Sequence, residues 1–315
     1  MAAIDVVYTW VDDTWPGYHA LLTRCARDRH DLNPNRYRDN VDILKYNLRA
    51  LDRYAPWIDR VFLVTCRPQV PRWLDTTMIR VVHHDQIMDP ADLPTFNSFA
   101  IVANLHRIPD LSARFLYLED DRLFGSRVEC RDVFDPDGRP RVFLTSRGTR
   151  LPGDRYHERL SPWNRAVAYS NFLLDERYGA KPRRMVSHGP LAVDVDSWRA
   201  MIETWEDAFR RTSASRFRAT ENIAPEYLYP HFLLEERRGV EASRAAVRTD
   251  TAYHPLNNIY LFQRVGLARL RWQHPKFFCL NDDFGQHPNP RVVGLVTREL
   301  ERWFPDKSRF EKPFG

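Results

Sequence analysis

Pairs of acidic side chains follow three short apolar runs of this sequence. The pairs and the runs before them are Asp12-Asp13 after Ile4–Val11, Asp120-Asp121 after Phe115–Leu118, and Asp282-Asp283 after Phe277–Leu280. Each run is rich in β-forming residues and predicts a buried strand. Neighbouring carboxylates at the end of such a strand repel one another unless a cation lies between them. The pattern predicts a divalent metal that holds a phosphate, and the alternative is a solvated turn that caps the next helix.

These acids would meet if their strands belonged to one parallel sheet, because the carboxyl ends of such strands lie along the same edge. We therefore expect Asp12, Asp120, Asp121 and Asp282 to surround a single metal–phosphate site, with Asn281 beside them. Mg²⁺ prefers oxygen ligands and keeps several waters, so one or two of these carboxylates would suffice.

A histidine and two arginines add the groups that a reaction at phosphate needs. His188 lies between Ser187 and Gly189-Pro190, a turn that would aim its ring as a general base for a hydroxyl nucleophile. Arg216 and Arg218 flank Phe217, and in an extended stretch both would point the same way toward phosphate oxygens. The alternatives are a histidine without a chemical role and a pair of surface salt bridges.

Two predicted helix starts offer further anion sites. Arg38 and Asn40 precede one helix, and Asn97 and Ser98 open another. Backbone N–H groups at a helix start favour an anion, although Asn and Ser there also serve as ordinary helix caps.

The first ~125 residues alternate strands and helices, which predicts an α/β fold with a mostly parallel sheet and helices on its faces. Neither a G-x-G-x-x-G after the first strand nor a P-loop motif occurs, so dinucleotide-binding and P-loop folds are disfavoured.

The remaining predicted strands are Arg60–Cys66 and Ile79–His83. The predicted helices are Trp15–Arg29, Asn40–Tyr54, Asn97–Arg107 with Thr95 as its cap, Ser161–Tyr178, Asp196–Arg211, Pro225–Arg237 and Arg291–Phe304. Pro140–Ser146 reads as a hairpin, and Leu261–Leu270 is ambiguous.

The absence of a convincing linker predicts one domain over residues 1–315. Its core strands would lie within 4–125 and 277–284, with an insertion of helices and loops over about 126–275.

The composition limits the class of protein. Hydrophobic residues make up 43% and charged residues 28%, which is ordinary for a soluble enzyme, and the formal charge of +5 favours anionic partners. The four scattered cysteines argue against zinc and disulfides and for a reducing compartment. No signal peptide or membrane span is evident, so we expect a cytoplasmic protein, with attachment to the inner face of a membrane left open.

Several stretches resemble the conserved regions of the Stealth phosphotransferases. IDVVYTWVDD resembles the first region. The second is matched by RYRDNVDILKYNLRALDRYAPWIDRVFLVT and LPTFNSFAIVANLHRIPDLSARFLYLEDDRLFG, the third by SHGP with SRFRATEN, and the fourth by KFFCLNDDFG. The family includes bacterial capsule and cell-wall polymer phosphotransferases and the catalytic subunit of the animal GlcNAc-1-phosphotransferase that tags lysosomal enzymes.

The resemblance implies a Rossmann-like, GT-A-like nucleotide-sugar transferase. It implies transfer of a hexose-1-phosphate, such as GlcNAc-1-phosphate, from a UDP-sugar to a hydroxyl of a glycan or cell-surface polysaccharide, with release of UMP and help from Mg²⁺ or Mn²⁺. Asp120, Asp121 and Asp282 would bind the metal, and His188, Asp121, Arg216 and Arg218 would be catalytic. The donor would be bound by Tyr8, Trp10, Asp12, Arg38, Asn40, Asn97, Ser98 and Asn281.

Two positions depart from the family pattern. Glu119 stands where the second region usually has Asn, and Gly189 stands where the third usually has Met. The first adds a negative charge near the expected metal and the second loosens the histidine turn.

Three other functions remain as alternatives. A metal-dependent glycosyltransferase would attack the sugar carbon and release UDP. A non-catalytic glycan- or polyphosphate-binding protein would need neither the metal nor His188. A nucleic-acid binder is suggested by charge alone and is disfavoured, because no nucleic-acid signature occurs.

Overall fold

The structure is a computed structural model that describes residues 3–28 and 31–313. Its strands, in chain order, are β1 (Ile4–Thr9), β2 (Val61–Thr65), β3 (Arg80–His83), β4 (Arg114–Glu119), β5 (Arg122–Phe124), β6 (Arg141–Val142), β7 (Leu144–Gly148), β8 (Arg184–Val186), β9 (Leu191–Asp194), β10 (Val240–Glu241), β11 (Thr251–Leu256) and β12 (Phe277–Asp282). Its α-helices are α1 (Tyr18–Cys25), α2 (Ile43–Tyr54), α3 (Ser98–Ala103), α4 (Cys130–Val133), α5 (Pro162–Tyr178), α6 (Val195–Thr204), α7 (Glu206–Ala214), α8 (Pro225–Glu235), α9 (Arg244–Asp250), α10 (Tyr260–Gln273) and α11 (Pro290–Trp303).

A five-stranded sheet with the order β3-β2-β1-β4-β9 forms the centre of the protein. The first four strands are parallel, and β9 runs antiparallel to β4 with Leu116 opposite Ala192. Alternate residues of β1 enter two different cores: Val6 belongs to the core that contains residues of α2 and α11, and Val7 to the core that contains residues of α3, α5, α6 and α8. The predicted α/β class, with a mostly parallel sheet and helices on both faces, is confirmed.

The strand that carries Asp282 lies outside the central sheet, contrary to our expectation. β12 is the middle strand of a second sheet, parallel to β11 and antiparallel to β5. β4 ends at Glu119 and β5 begins at Arg122, so the chain passes from one sheet to the other through Asp120 and Asp121. We call these two residues the acid turn. The segment of about 126–275, which we predicted to be an insertion, supplies strand β9 to the central sheet.

Several predicted elements differ from the observed ones. Pro140–Ser146 is no hairpin, because β6 pairs with β10 and β7 pairs with β8. Asp196–Arg211 is two helices, since the backbone leaves helical geometry at Trp205 while the apolar spacing continues past it. Asn97, not Thr95, caps α3 by accepting a hydrogen bond from the Phe99 N–H. The predicted end of the first helix at Arg29 lies outside the described residues.

Two elements near the C-terminus gave an ambiguous or absent signal in the sequence. β11 contains Pro255, which argues against a central strand, but it is an edge strand, where proline is tolerated. The ambiguous stretch around Leu261–Leu270 belongs to α10, whose exposed side is as apolar as its buried side. None of the helices within the described ranges combines the length and the apolarity needed to cross a bilayer.

A buried ion pair attaches the C-terminal segment to α2. The Arg49 guanidinium donates to both carboxylate oxygens of Glu311 at 2.8 and 2.9 Å and to the Phe304 carbonyl at 2.8 Å. Both side chains of the pair are about 5–6% exposed. Removing one partner of a buried ion pair leaves the other charge buried without compensation, which destabilises the fold.

We expect the Arg49→Met variant to lose about 3–5 kcal/mol of unfolding free energy, because Glu311 stays buried without its partner. Urea unfolding followed by circular dichroism measures this loss. Arg302→Ala removes an exposed ion pair with Glu299 and serves as the control, with an expected change within about 0.5 kcal/mol. Equal losses in the two variants would show that the Arg49 pair does not hold the C-terminal segment.

Candidate active site

A cleft of about 330 Å³ opens where the central sheet meets the second sheet. Its volume lies within the range of sites for small ligands. Segments far apart in the sequence line it, including Trp10 after β1, Asn35–Asp39, Ser98, Glu119–Asp121, Arg218 and Leu280–Asp283. The carboxyl ends of β1 and β4 point into this cleft, as the rule for open α/β sheets predicts.

A chain of hydrogen bonds from Tyr8 through Asn47 of α2 holds the backbone of the acid turn in place. The Asn47 side chain, on α2, donates to the carbonyls of Asp120 at 2.9 Å and Arg122 at 2.7 Å. The Tyr8 hydroxyl donates in turn to the Asn47 amide oxygen at 3.0 Å. On the other side, the Leu280 N–H donates to the Asp121 carbonyl at 2.9 Å. The backbone of the turn is therefore held by both sheets and by α2.

The carboxylates of the acid turn lie in an environment that opposes their charge. Burial raises the pKa of Asp120 well above its ordinary range, and the charges of Asp121, Asp39 and Glu119 raise it further. Burial also raises the pKa of Asp121, with Glu119 adding to the effect. Asp121 Oδ1 is buried without a hydrogen-bond partner among the described residues. A bound cation would reduce the repulsion between these carboxylates and would give Asp121 Oδ1 a partner.

The residues present therefore fit a hard divalent cation held through few protein ligands. Within residues 3–28 and 31–313, no three acidic, histidine or cysteine side chains are grouped into a complete cage. Mg²⁺ binds in this manner, through one or two carboxylates with water and substrate phosphates as the other ligands. Asp120 and Asp121 are two carboxylates of the cleft able to supply them, and Asp282 is another.

The residues at the end of β12 reach the same cleft and are largely paired with their neighbours. Asp282 accepts hydrogen bonds from the Asn40 amide at 2.6 Å and from the Phe284 N–H at 3.0 Å. Asn281 also lines the cleft, and its amide donates to the Asp282 carbonyl. Asp282 thus ties the 35–40 segment to β12 and also lines the cleft.

The two arginines of the third region separate instead of forming a pair. The Arg218 guanidinium lines the cleft, donates to Ser98 Oγ at 2.6 Å and lies over the Phe99 ring. Arg216 is absent from the cleft lining and donates to the Pro94 carbonyl at 3.1 Å. The chain bends at Arg216 and Phe217, so the extended geometry that our prediction needed does not occur.

His188 lies in a small pocket next to the cleft, joined to it through Arg122. The Arg122 guanidinium donates to the Gly189 carbonyl at 3.0 Å and pairs with the Glu119 carboxylate at 2.8 Å, and Glu119 lines the cleft. Part of the His188 residue is exposed, while its ring lines the pocket and stacks against Tyr253 at 4.5 Å between centroids. Neither ring nitrogen has a hydrogen-bond partner among the described residues.

Desolvation and the nearby charge of Arg122 lower the pKa of His188 below its ordinary value. The imidazole is therefore neutral at neutral pH and able to accept a proton. Burial opposes ionisation of Glu119, but neighbouring charges, that of Arg122 first and that of Arg218 as well, outweigh it and lower the pKa of this carboxyl.

Arg122 and Glu226 belong to this constellation and were missed by the sequence reasoning. Glu226 lines the His188 pocket, is 3% exposed, and leaves both carboxylate oxygens without a hydrogen-bond partner among the described residues. Burial and the charge of Glu119 raise its pKa. Its position after Pro225 at the start of α8 reads as an ordinary first-turn acid, so no sequence signal marked it. Arg122 follows the acid turn directly, and an arginine inside a buried strand was a signal that could have been used.

The other predicted donor-site residues divide into cleft residues and supporting residues. Trp10 lines the cleft, with its indole N–H donating to Asp39, and Arg38 lines it while paired with Asp13 at 2.8 Å. Four predicted residues are held by neighbouring protein groups and do not line the cleft: Tyr8 bonds to Asn47, Asp12 accepts from Thr14, Asn40 donates to Asp282, and Asn97 is buried against Ser215 and Asn222.

Comparison with known proteins places these residues in a family. Three family models match the chain: Stealth protein CR2, conserved region 2, over residues 36–142; CR3, conserved region 3, over 187–235; and CR4, conserved region 4, over 268–315. These regions contain the acid turn, the His188 turn with Arg218, and the end of β12.

Curated relatives match along nearly the whole chain. An exopolysaccharide phosphotransferase of Nocardia farcinica is 34% identical in an alignment 325 residues long, which covers 98% of this chain and 61% of the relative. The exopolysaccharide phosphotransferase SCO6023 of Streptomyces coelicolor is 34% identical, with 98% and 52% covered, and CpsY of Mycobacterium tuberculosis H37Rv is 31% identical, with 98% and 58% covered. The chain thus spans about half to three fifths of the length of these relatives.

Similar solved structures include the galactosyltransferase LgtC in complex with donor and acceptor sugar analogues, at 11% identity and a TM-score of 0.41, with 96% of each chain covered. Mouse xyloside xylosyltransferase 1 is another, at 9% identity and a TM-score of 0.37, with 89% of this chain and 98% of the other covered. The family models and the relatives agree with the second, third and fourth resemblances found in the sequence, and this chain belongs to the Stealth family.

Proposed function

We propose that this protein transfers a sugar-1-phosphate, such as GlcNAc-1-phosphate, from a UDP-sugar to a hydroxyl of a glycan acceptor. The acceptor oxygen would bond to the β-phosphorus of the donor. The bond from that phosphorus to the bridging oxygen would break, and UMP would leave with the electron pair. The names of the relatives support phosphotransfer in exopolysaccharide synthesis as the class of reaction.

One observation carries the proposal: the acid turn, Arg218 and Asp282 share a single cleft, and His188 lies in the pocket joined to it. A donor diphosphate is an anion that needs cationic neighbours, and negative charge increases on UMP as it leaves. Arg218, a half-buried cation that lines the cleft, would contact the phosphate oxygens. Trp10, at the same cleft, would stack on the uracil ring.

His188 would take the proton of the acceptor hydroxyl, because its ring nitrogens are free and its neutral form is favoured. Glu226 would accept a hydrogen bond from a sugar hydroxyl in the same pocket, since its own oxygens lack partners. Arg122 would fix the positions of the cleft and the His188 pocket relative to each other, because it pairs with Glu119 and donates to the Gly189 carbonyl.

Asp120 and Asp121 would hold Mg²⁺ or Mn²⁺, with Asp282 at the edge of the same space. The bound ion would neutralise the diphosphate and stabilise the charge on UMP.

The nucleotide product tests the proposal. We expect the purified chain with Mg²⁺ to release UMP from at least one of a panel of UDP-sugars, and to do so faster when a simple sugar acceptor is present. Chromatography of the nucleotides measures this release, and EDTA should abolish it.

Release of UDP instead would mean attack at the sugar carbon and a glycosyltransferase. Tight binding of UDP-sugars without any turnover would identify a binding protein. The Asp121→Asn variant, purified in the same way, controls for contaminating pyrophosphatases, because their UMP would persist in the variant.

A further inference from the structure

Helix α10 exposes an apolar stripe that the proposed reaction does not use. Leu261, Val265, Ala268 and Trp272 fall within roughly 60° of one another around a helix of 3.6 residues per turn. Leu261 is 66% exposed, Val265 58% and Trp272 82%. The helix packs on α11 and β11 through its other side, where Gln263, Leu267 and Leu270 are buried.

The exposed apolar residues of this protein are concentrated in one region. Of the ten large hydrophobic residues that are exposed among the described residues, seven lie between Tyr253 and Trp272. Single exposed hydrophobic residues need no explanation, but a contiguous apolar surface marks a contact with a protein or a membrane.

The charges around the stripe indicate which of these partners it fits. Arg264 lies on one side of the stripe and Arg269 on the other, and neither forms an ion pair or hydrogen bond with the described residues. No Asp or Glu occurs from residue 251 to residue 281. An exposed apolar stripe with cations along both borders is typical of a helix that lies in the interface of an anionic bilayer.

The stripe also lies close to the His188 pocket. Tyr253, on the strand that leads into α10, is 49% exposed and stacks on the His188 ring. An apolar groove of about 710 Å³ runs beside this tyrosine along Phe262, Val265 and Arg269. A surface held against α10 would therefore be near the pocket assigned above to the acceptor.

We propose that α10 docks the protein on an anionic phospholipid bilayer, with the stripe of Leu261, Val265, Ala268 and Trp272 inserted between headgroups and Arg264 and Arg269 bound to lipid phosphates. The inference goes beyond the proposed reaction and does not depend on it.

Vesicle flotation tests the docking directly. We expect the wild-type chain to float with vesicles of phosphatidylcholine and phosphatidylglycerol at 7:3 and to remain unbound with phosphatidylcholine alone. The Arg264→Gln/Arg269→Gln variant should bind the anionic vesicles about 30-fold more weakly, at roughly fivefold for each charge. The Val265→Ser/Trp272→Ser variant should weaken binding at least 10-fold, and high salt should weaken wild-type binding.

Matched variants elsewhere on the surface serve as controls. Leu151→Ser/Tyr156→Ser removes two apolar side chains that are 69% and 61% exposed, and Arg127→Gln removes an exposed cation. Both should bind vesicles like the wild type. All four variants should keep the wild-type circular dichroism and melting temperature, because the changed side chains are exposed.

Two results would overturn the proposal. Wild-type binding that is absent, or equal for both vesicle compositions, would exclude docking on anionic lipid. Light scattering that shows a dimer which Val265→Ser/Trp272→Ser dissociates, without vesicle binding, would assign the stripe to a second copy of the chain.

Discussion

The His188→Gln variant is expected to release UMP about 10²–10⁴-fold more slowly than the wild-type chain, the usual effect of losing a general base. Glutamine keeps the size and polarity of the side chain but cannot accept the proton of the acceptor hydroxyl. Because the His188 side chain makes no hydrogen bond with described residues, the fold should be unaffected. Initial rates of UMP release at saturating donor measure the loss.

The pH dependence separates a base from a structural residue. Desolvation and Arg122 lower the pKa of His188, so its basic, neutral form persists as the pH falls below the ordinary value of about 6.5. The acid limb of kcat/KM should therefore lie below pH 6.5 in the wild type, and its histidine component should vanish in the variant. His19→Gln, on the exposed side of α1, is the control and should keep both rate and profile. A wild-type rate in His188→Gln would remove this residue from the mechanism.

The Asp121→Asn variant is expected to lose about 10²–10³-fold in UMP release, because a bound divalent ion supplies several kcal/mol of charge stabilisation in the transition state. Its affinity for Mn²⁺ in the presence of UDP, measured by calorimetry, should fall with the activity. Asp207→Asn, at an exposed ion pair on α7, is the control and should change neither quantity.

The Asp121→Asn variant should lose activity without losing thermal stability. The Asp121 carboxylate is buried beside like charges, and burial raises its pKa, so the ionised form disfavours the folded state when no cation is bound. The amide removes that charge, and the metal-free variant should melt at the wild-type temperature or above. A clear drop in melting temperature would instead show that Asp121 supports the fold and that the lost activity follows from unfolding.

The local signals in the sequence predicted some of the residues that meet, but they also included Asp12 and Arg216, which do not line the cleft, and the reason given for the meeting was wrong. Asp120, Asp121 and Asp282 do share a cleft with Arg218 and Asn281. They meet because the acid turn joins two sheets, not because three strands belong to one. Strand pairing over more than 150 residues depends on tertiary packing, which neither periodicity nor propensity encodes.

The direction in which individual side chains point was the second feature that the sequence could not predict. Tyr8 and Trp10 lie two residues apart, yet Tyr8 supports Asn47 beneath the acid turn while Trp10, beyond the end of β1, reaches the cleft. The bend at Arg216 similarly separates two arginines that an extended chain would have aligned. Glu226 has a buried role that only the packing of α8 against the His188 pocket reveals.

The crossing from one sheet to the other at Asp120-Asp121 has a consequence for synthesis of the protein on the ribosome. The central strands β1 to β4 can pair as they emerge, since domains begin to fold during translation at about 5–20 residues per second. The partner strand of β5 ends only at Asp282, so the segment up to Asp282 must emerge before the cleft can form. A translation product that ends before β12 would therefore expose unpaired acidic residues and an open strand edge, and its cleft would be incomplete.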